Sequence, residues 1–319
     1  MPPPGGGMEI TMYKRLELHN HTTESDGRLT PSELVEHMLE DKVDAFAITD
    51  HNTISGHAKI ANLLKQKQLP LTCIYGMEYT TYYGHILCLN LKEYVPWENI
   101  NLHKPELLFT AAKEKGALVG VAHPFSYGHP FARGCRFDMK ITDYRTVDFI
   151  EIFNNPEPLH EVNERGLLWW EDLVLNGNRL AFTSGMDLHG KSDMSNQYAT
   201  FIEGSADGDI EQELSSAITN QRTWISRGPI LEMSRNEKDG SLIFTISDTK
   251  KPGYRHTEAD SYLLSIRTEK GAFAKSISAK TPLMITRQDY DAAAILLPKL
   301  YQNDLRIENL ICVAPTIIL

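Results

Sequence analysis

The 319-residue chain is 41% apolar and 23% charged, with a formal net charge of −10. That is the composition of a globular protein long enough to exceed one domain. The acidic balance argues against a broad nucleic-acid-binding face, which needs a basic stripe; a small anionic substrate can still bind where metal ions supply local positive charge. Cys73, Cys88, Cys135 and Cys312 are widely separated and form no Cys-x-x-Cys, so neither disulfides nor a thiolate zinc site is expected. No apolar run approaches the ~20 residues of a membrane span, and MPPPGGGM lacks the basic and apolar regions of a signal peptide. Residues 1–13 read as a flexible leader, the location as cytoplasmic, and a membrane partner is not expected; composition leaves the oligomeric state open.

A strand-helix rhythm runs from about residue 14 to 225. The stretch RLELHNH reads as the first strand, with Leu16 to His21 extended. In Thr30-Pro31-Ser32-Glu33 the threonine is an N-cap, the proline takes the first helical position and the glutamate follows three residues after the cap, a good helix start. VDAFAITDH is a buried strand, followed by a helix over roughly 58–66. TCIYGMEYTT and HILCLNL supply two strands, and a helix over about 105–115 leads into GALVGVAHP. DFIEIFN, a helix over about 159–175, RLAFTSGMD and QYATFIEG continue the pattern. Near-continuous apolar runs suit strands covered on both faces, hence a mostly parallel sheet closed as an α/β barrel. Near Arg222 the rhythm changes. GPILEMS, SLIFTISD, YLLSIRTE, AFAKSIS, PLMITR and ENLICVAP are short, often alternating segments that predict a small all-β, sandwich-like domain over residues 226–319.

Residues of metal-ligand type recur where strands end. His19 and His21 are one residue apart, so a strand projects both from one face. Asp50-His51 closes VDAFAITDH, Glu78 closes TCIYGME, His85 opens the next run, His123 closes GALVGVAHP, and Asp187 and His189 close RLAFTSGMDLH. One such histidine alone is an ordinary hydrogen-bonded residue; the ordered set at strand ends points to metal. Imidazole with carboxylate suits zinc, manganese or iron, and two or three ions need about this many ligands, with Glu78 placed to bridge.

The ordered motifs HNH…SDG, ITDHN, GME, GHI, AHP and GMDLH, over residues 14 to about 190, resemble the polymerase-and-histidinol-phosphatase (PHP) superfamily of metal-dependent phosphoesterases. The resemblance implies a distorted (β/α)7 barrel over residues 14–225 with a trinuclear metal centre at one rim. Position by position, it implies His19, His21, Glu78 and Asp187 as ligands of one ion, and Asp26, His51 and His189 as those of a second. Glu78, His85 and His123 would hold a third. Two departures bear on substrate. Only Leu91 to Gly116 is available where some relatives that hydrolyse nucleotide phosphates insert a helical subdomain. The continuation through QRTWISRGP into a β-rich tail resembles a branch that includes carbamate-ester hydrolases.

The expected chemistry is hydrolysis of a small phosphorylated metabolite, nucleotide or short oligonucleotide by a hydroxide held between metal ions. Asp187 would orient the nucleophile, and His189 or His51 would protonate the leaving group. Arg133, Arg136 and Lys191 are candidate phosphate ligands, with His129 beside them. Two alternatives stay open: a carbamate or carboxyl ester hydrolase using the same ions, and a binding module that retains metals structurally. His37, His57, His103, His160 and His256 read as helix-surface or loop residues, Trp169-Trp170 and Cys73 and Cys88 as core, and Arg227 as a joint between the two domains.

Overall fold

The computed structural model describes residues 12–126, 133–154, 161–247, 259 and 261–319. The first part of the chain forms β1 (Met12–Glu17), α1 (Pro31–Asp41), β2 (Ala45–Ile48), α2 (Ser55–Lys67), β3 (Thr72–Thr81), β4 (Gly84–Leu89), α3 (Glu106–Glu114) and β5 (Leu118–Val121). It continues through β6 (Phe149–Asn154), α4 (Glu161–Leu175), β7 (Ala181–Gly185), β8 (Ala199–Gly204), α5 (Ile210–Thr219) and β9 (Thr223–Ser226). The capping box at Thr30 forms as its sequence predicts: the hydroxyl accepts from the Glu33 amide, and the Glu33 carboxylate accepts from the Thr30 amide. Helix α5 was not anticipated. Its start is marked by Asp209, whose carboxylate accepts from the Glu211 and Gln212 amides.

The fold is mixed α/β. β1, β2 and β3 run parallel, as do β5, β6 and β7, but β4 is antiparallel to both β3 and β5. A mostly parallel sheet was expected; the difference arises because β3 turns directly into β4 through a tight hairpin at Thr81–Gly84, too short for a crossover helix. Beyond β7, the amide of Leu188 donates to the His19 carbonyl and that of His21 to the Leu188 carbonyl, at 3.1 and 2.9 Å. The chain after β7 is thereby laid beside the chain after β1.

The C-terminal strands are β10 (Ile230–Arg235), β11 (Leu242–Ser247), β12 (Ser261–Thr268), β13 (Gly271–Ser278), β14 (Leu283–Ile285), β15 (Ile295–Tyr301), β16 (Leu310–Val313) and β17 (Ile317–Ile318). Three of them, ordered β10-β11-β14, make a separate small sheet. The others extend the main sheet, because β16 pairs with the free side of β9, which itself pairs with β8. The anticipated change of rhythm near Arg222 therefore falls at a strand through which a single 14-stranded sheet continues. β15 was not foreseen, since Pro298 within ILLPKLY argues against a central strand. It nevertheless lies between β12 and β16, with Pro298 opposite Ile266 and its carbonyl accepting from the Ala314 amide.

The apolar clusters follow the sheets. Phe201 and Trp224 pack with Leu231, Phe244, Leu264, Ile285 and Leu296 between the small sheet and the extended one. Trp170 is fully buried and Trp169 packs edge-on to Phe125 and Tyr144, so both are core residues. Arg227 donates to Asn196 and lies over the Tyr198 ring, joining the two regions. A buried ion pair ties them more firmly: Lys299 of β15 donates to Glu171 of α4, which also accepts from Arg267 of β12 at 2.7 Å. Lys299→Met should lower the unfolding free energy by roughly 2–3 kcal/mol in denaturant titration, less than the about 3–5 of an isolated buried charge because Arg267 still faces Glu171. A paired Lys299→Met/Glu171→Met variant should recover most of that loss; equal losses in both variants would refute this reading of the contact.

Candidate metal centre

The nine sequence-selected histidines and carboxylates come together in three overlapping groups: His21, Asp26, His51 and His189; His19, His21, Glu78 and Asp187; and Glu78, His85 and His123. Within each group one candidate ligand atom per residue lies within 4.8 Å of the others. His21 and Glu78 each belong to two groups.

The routes into the cluster differ from simple strand-end geometry. β1 stops at Glu17, not His21, because Asn20 leaves the ladder to bond the Thr49 hydroxyl and the Ala47 carbonyl. Glu78 does not close β3 but lies within it, opposite Leu87 of β4. β7 ends at Gly185, and Asp187 (φ 49°) turns into the left-handed region before His189. His123, with φ 25°, departs from extended backbone in the same way after β5. Such conformations are costly for residues with a Cβ and concentrate where geometry matters. Two glycines make room. A Cβ on Gly185 would stand 2.5 Å from the His19 Cβ, and one on Gly27 would stand 2.5 Å from the His21 carbonyl. Gly27 follows Asp26 in a turn held by Asp50, which accepts from the Thr22 amide at 2.6 Å and the Ser25 hydroxyl at 2.7 Å.

Behind the cluster sit two carboxylates that the sequence reading did not single out. Glu151 of β6 accepts from His19 Nδ1 at 2.9 Å, from the His123 amide at 3.0 Å and from Asn154 at 3.1 Å. Glu17 accepts from the Met186 amide at 2.7 Å and lies near the His19 amide. A glutamate inside an otherwise apolar strand, as in FIEIFN and RLELH, was the available signal, since such residues are seldom fully buried without a partner.

The outer bonds assign the ring nitrogens. His19 Nδ1 donates to Glu151, His123 Nδ1 to the Cys135 carbonyl at 3.1 Å and His189 Nδ1 to the Asp187 carbonyl at 2.8 Å. In each neutral ring the other nitrogen then carries a lone pair facing inward. His19 Nε2 and Glu78 Oε2 are buried, make no hydrogen bond and face each other at 3.3 Å. Two lone pairs so placed require a cation between them. The spacings His19–Asp187 (3.5 Å), His21–Glu78 (3.4 Å) and His21–Asp187 (2.9 Å) bracket the about 3.0–3.4 Å between two atoms bound to one ion through bonds of about 2.1 Å. The donor set therefore fits divalent metal ions.

Charge in the metal-free cluster follows the same logic. Burial works against ionisation of Glu78, yet His19, His85 and His123 hold its carboxyl well below the usual range. Burial opposes protonation of His19, but Glu151, Glu78 and Asp187 outweigh it and raise the ring well above its ordinary value. His123 rises to about 9, against burial, through Glu78, Asp187 and Glu151. His51 is raised likewise by Glu78 and Asp26, whereas burial dominates at His21 and lowers it. Protons thus occupy sites where metal charge is called for.

Exposure grades across the cluster. The side chains of His19, His21 and Glu78 are 0% exposed, those of Asp187 and His51 19%, His189 38% and Asp26 60%, so the open side lies at Asp26 and His189. Of the expected phosphate ligands, Lys191 pairs with Glu40 at 2.5 Å and Arg136 lies 3.8 Å from Asp138. Arg133 begins a short 3₁₀ turn, and His129 lies outside the described residues, as do His160 and His256. His37 is buried on α1, His57 bonds the Gly76 carbonyl and His103 is exposed. The four cysteines are free thiols, and among the described residues no helix is long and apolar enough to cross a membrane.

Residues 17–126 match the family model described as PHP domain. A 79-residue stretch is 40% identical to the 5′-3′ exoribonuclease Rnm of Escherichia coli, covering 24% of this chain and 27% of that protein. An uncharacterized protein of Methanocaldococcus jannaschii is 29% identical over 154 residues, 44% of this chain and 81% of that one. The chain thus spans about a quarter to a third of the length of the exoribonucleases it matches. In three dimensions it is similar to a two-domain protein from Bacteroides vulgatus containing a predicted PHP-like metal-dependent phosphoesterase, with TM-score 0.57, 16% identity and 96% of each chain covered. At that identity the likeness concerns the fold, and it extends through the C-terminal strands. The likeness to the PHP domain thus rests on residues 17–126 of this chain.

Proposed function

We propose that this protein is a metal-dependent phosphoesterase acting on a small phosphorylated metabolite, nucleotide or short oligonucleotide. The observation that carries this reading is the sharing of His21 and Glu78 among three ligand groups, which suits a trinuclear centre at the rim of a distorted (β/α)7 barrel. His19, His21, Glu78 and Asp187 would hold one ion, Asp26, His51 and His189 a second, and Glu78, His85 and His123 a third. Manganese, zinc and iron all suit this donor set. When bound, the ions supply positive charge that acidifies water and polarises a phosphoryl oxygen.

The chain's own residues do the rest. Asp187, whose side chain is 19% exposed, would orient the attacking water. His189 or His51 would protonate the leaving oxygen where one of them is only loosely ligated; His51 Nε2 faces Asp26 at 3.4 Å and its Nδ1 faces Glu78 at 2.9 Å. His189 has its Nδ1 hydrogen committed to a carbonyl. The relatives named exoribonucleases favour phosphoester over carbamate or carboxyl ester cleavage. They also bring RNA into consideration as a substrate; the acidic surface favours short pieces over long strands. Division into a catalytic part (14–225) and an accessory part (226–319), and a cytoplasmic setting consistent with four free thiols, belong to the same proposal; the leader expected over residues 1–13 overlaps β1, which begins at Met12.

Manganese-loaded protein should release phosphate from a panel of nucleotides, oligonucleotides and sugar phosphates, with Asp187→Asn at least a hundredfold slower; an equally active Asp187→Asn, or ester cleavage without any phosphate release, would overturn the assignment. Glu151→Ala should weaken metal binding about 10–100-fold by calorimetry, through loss of the His19 Nδ1 bond. Metal ligation requires neutral imidazoles, and His19, His51 and His123 are raised in the metal-free protein. Metal uptake should therefore release protons at neutral pH, and affinity should climb with pH until about 9, where His123 deprotonates unaided. An affinity flat between pH 6 and 9 would contradict that electrostatic picture.

A further inference from the structure

A phosphoryl substrate approaching this cluster enters on the Asp26–His189 side, over carboxylates, in a protein of net charge −10. A side-chain cation at that lip would add to the positive charge that bound metal ions supply. Of the sequence-selected cations, Lys191 is held by Glu40 and Arg136 faces Asp138. Lys59, near the same lip, is held at 2.5 Å by Glu24.

Arg28 differs from all of these. It follows Asp26 by two residues, and its amide donates to the His189 carbonyl at 2.8 Å, so its backbone is fixed beside the most open of the clustered histidines. Its aliphatic stem lies against Gly190, with Cδ 3.7 Å and Cβ 3.9 Å from the position a Cβ would take there. The residue is exposed, and among the described residues no carboxylate pairs with its guanidinium. Anchored backbone, supported stem and uncommitted head group are the properties of a receptor for an incoming anion, and the planar fork of arginine matches two oxygens of a phosphate.

We propose that Arg28 is the substrate-phosphate receptor at the mouth of the metal centre, binding non-bridging oxygens of the group to be cleaved. This rests on the phosphoesterase reading above. It makes the SDG turn bifunctional: Asp26 faces inward to the metal group, and Arg28 faces outward to substrate.

The test uses the full-length, metal-loaded protein with Arg28→Ala, Arg28→Lys and, for comparison, Lys191→Ala. Inorganic phosphate binding is followed by calorimetry, metal content by elemental analysis, and KM and kcat on the best phosphoester. Arg28→Ala should weaken phosphate binding and raise KM by about tenfold or more, with metal content unchanged and kcat less affected. Arg28→Lys should recover part of the loss, and Lys191→Ala should behave as wild type. Wild-type affinity for phosphate in a fully metallated Arg28→Ala protein would overturn the proposal while leaving the phosphoesterase reading intact. Conversely, wild-type protein that binds phosphate through Arg28 yet hydrolyses no phosphoester would overturn the phosphoesterase reading and, with it, the substrate role of Arg28. Wild-type protein that binds no phosphate would end both.

Discussion

A carboxylate with no access to solvent stays ionised only when positive charge surrounds it, and Glu78 is such a group. Its two oxygens face His19, His21, His51, His85 and His123, which arrive from the ends of β1, β2 and β5 and from the start of β4. Everything that brings those elements together serves this one buried charge. The parallel pairing of β1, β2 and β3 sets three of the histidines above β3, and the β3–β4 hairpin folds His85 back onto the strand that carries Glu78. A helix between β3 and β4 would have separated His85 from Glu78, so the interruption of the parallel sheet and the composition of the cluster have one cause.

Outer contacts convert this convergence into a directed set of lone pairs. Glu151 grips both His19 and the His123 backbone, so one carboxylate on β6 orients members of two ligand groups at once. The left-handed turns at His123 and Asp187 point their side chains inward where an extended strand would not. Gly185 and Gly27 give way to neighbours that any side chain would displace. Exposure rises outward from Glu78 to Asp26, so the cluster opens to solvent on that side.

The C-terminal strands are continuous with this arrangement. β9 presents an unpaired edge that β16 covers, and covering edges is a general requirement of exposed sheets. The buried Lys299–Glu171 pair and the shared apolar layer around Phe201 and Trp224 make separation of the two regions costly. The likeness to a two-domain structure covers 96% of each chain, the C-terminal strands included.

Residue type and order singled out eight of the nine clustered residues, to which the family resemblance added Asp26, together with the capped start of α1 and most strands, because these depend on local periodicity and on side chains whose chemistry is unusual at strand ends. Glu151 and Glu17 were passed over because a glutamate in a strand looks like any other charge until its burial is known. Arg28 was missed for a related reason: a solvated arginine acquires meaning only from the absence of a partner and the presence of His189 beside it. β15 was concealed by Pro298, and the antiparallel β4 by a sheet direction that pattern cannot report. The sequence by itself determined which atoms can bind metal; tertiary structure decided how those atoms share Glu78 and His21, which carboxylates hold them, and from which side the cluster opens. Donor chemistry belongs to each side chain separately, whereas sharing, burial and access are properties of distances between residues far apart in the chain.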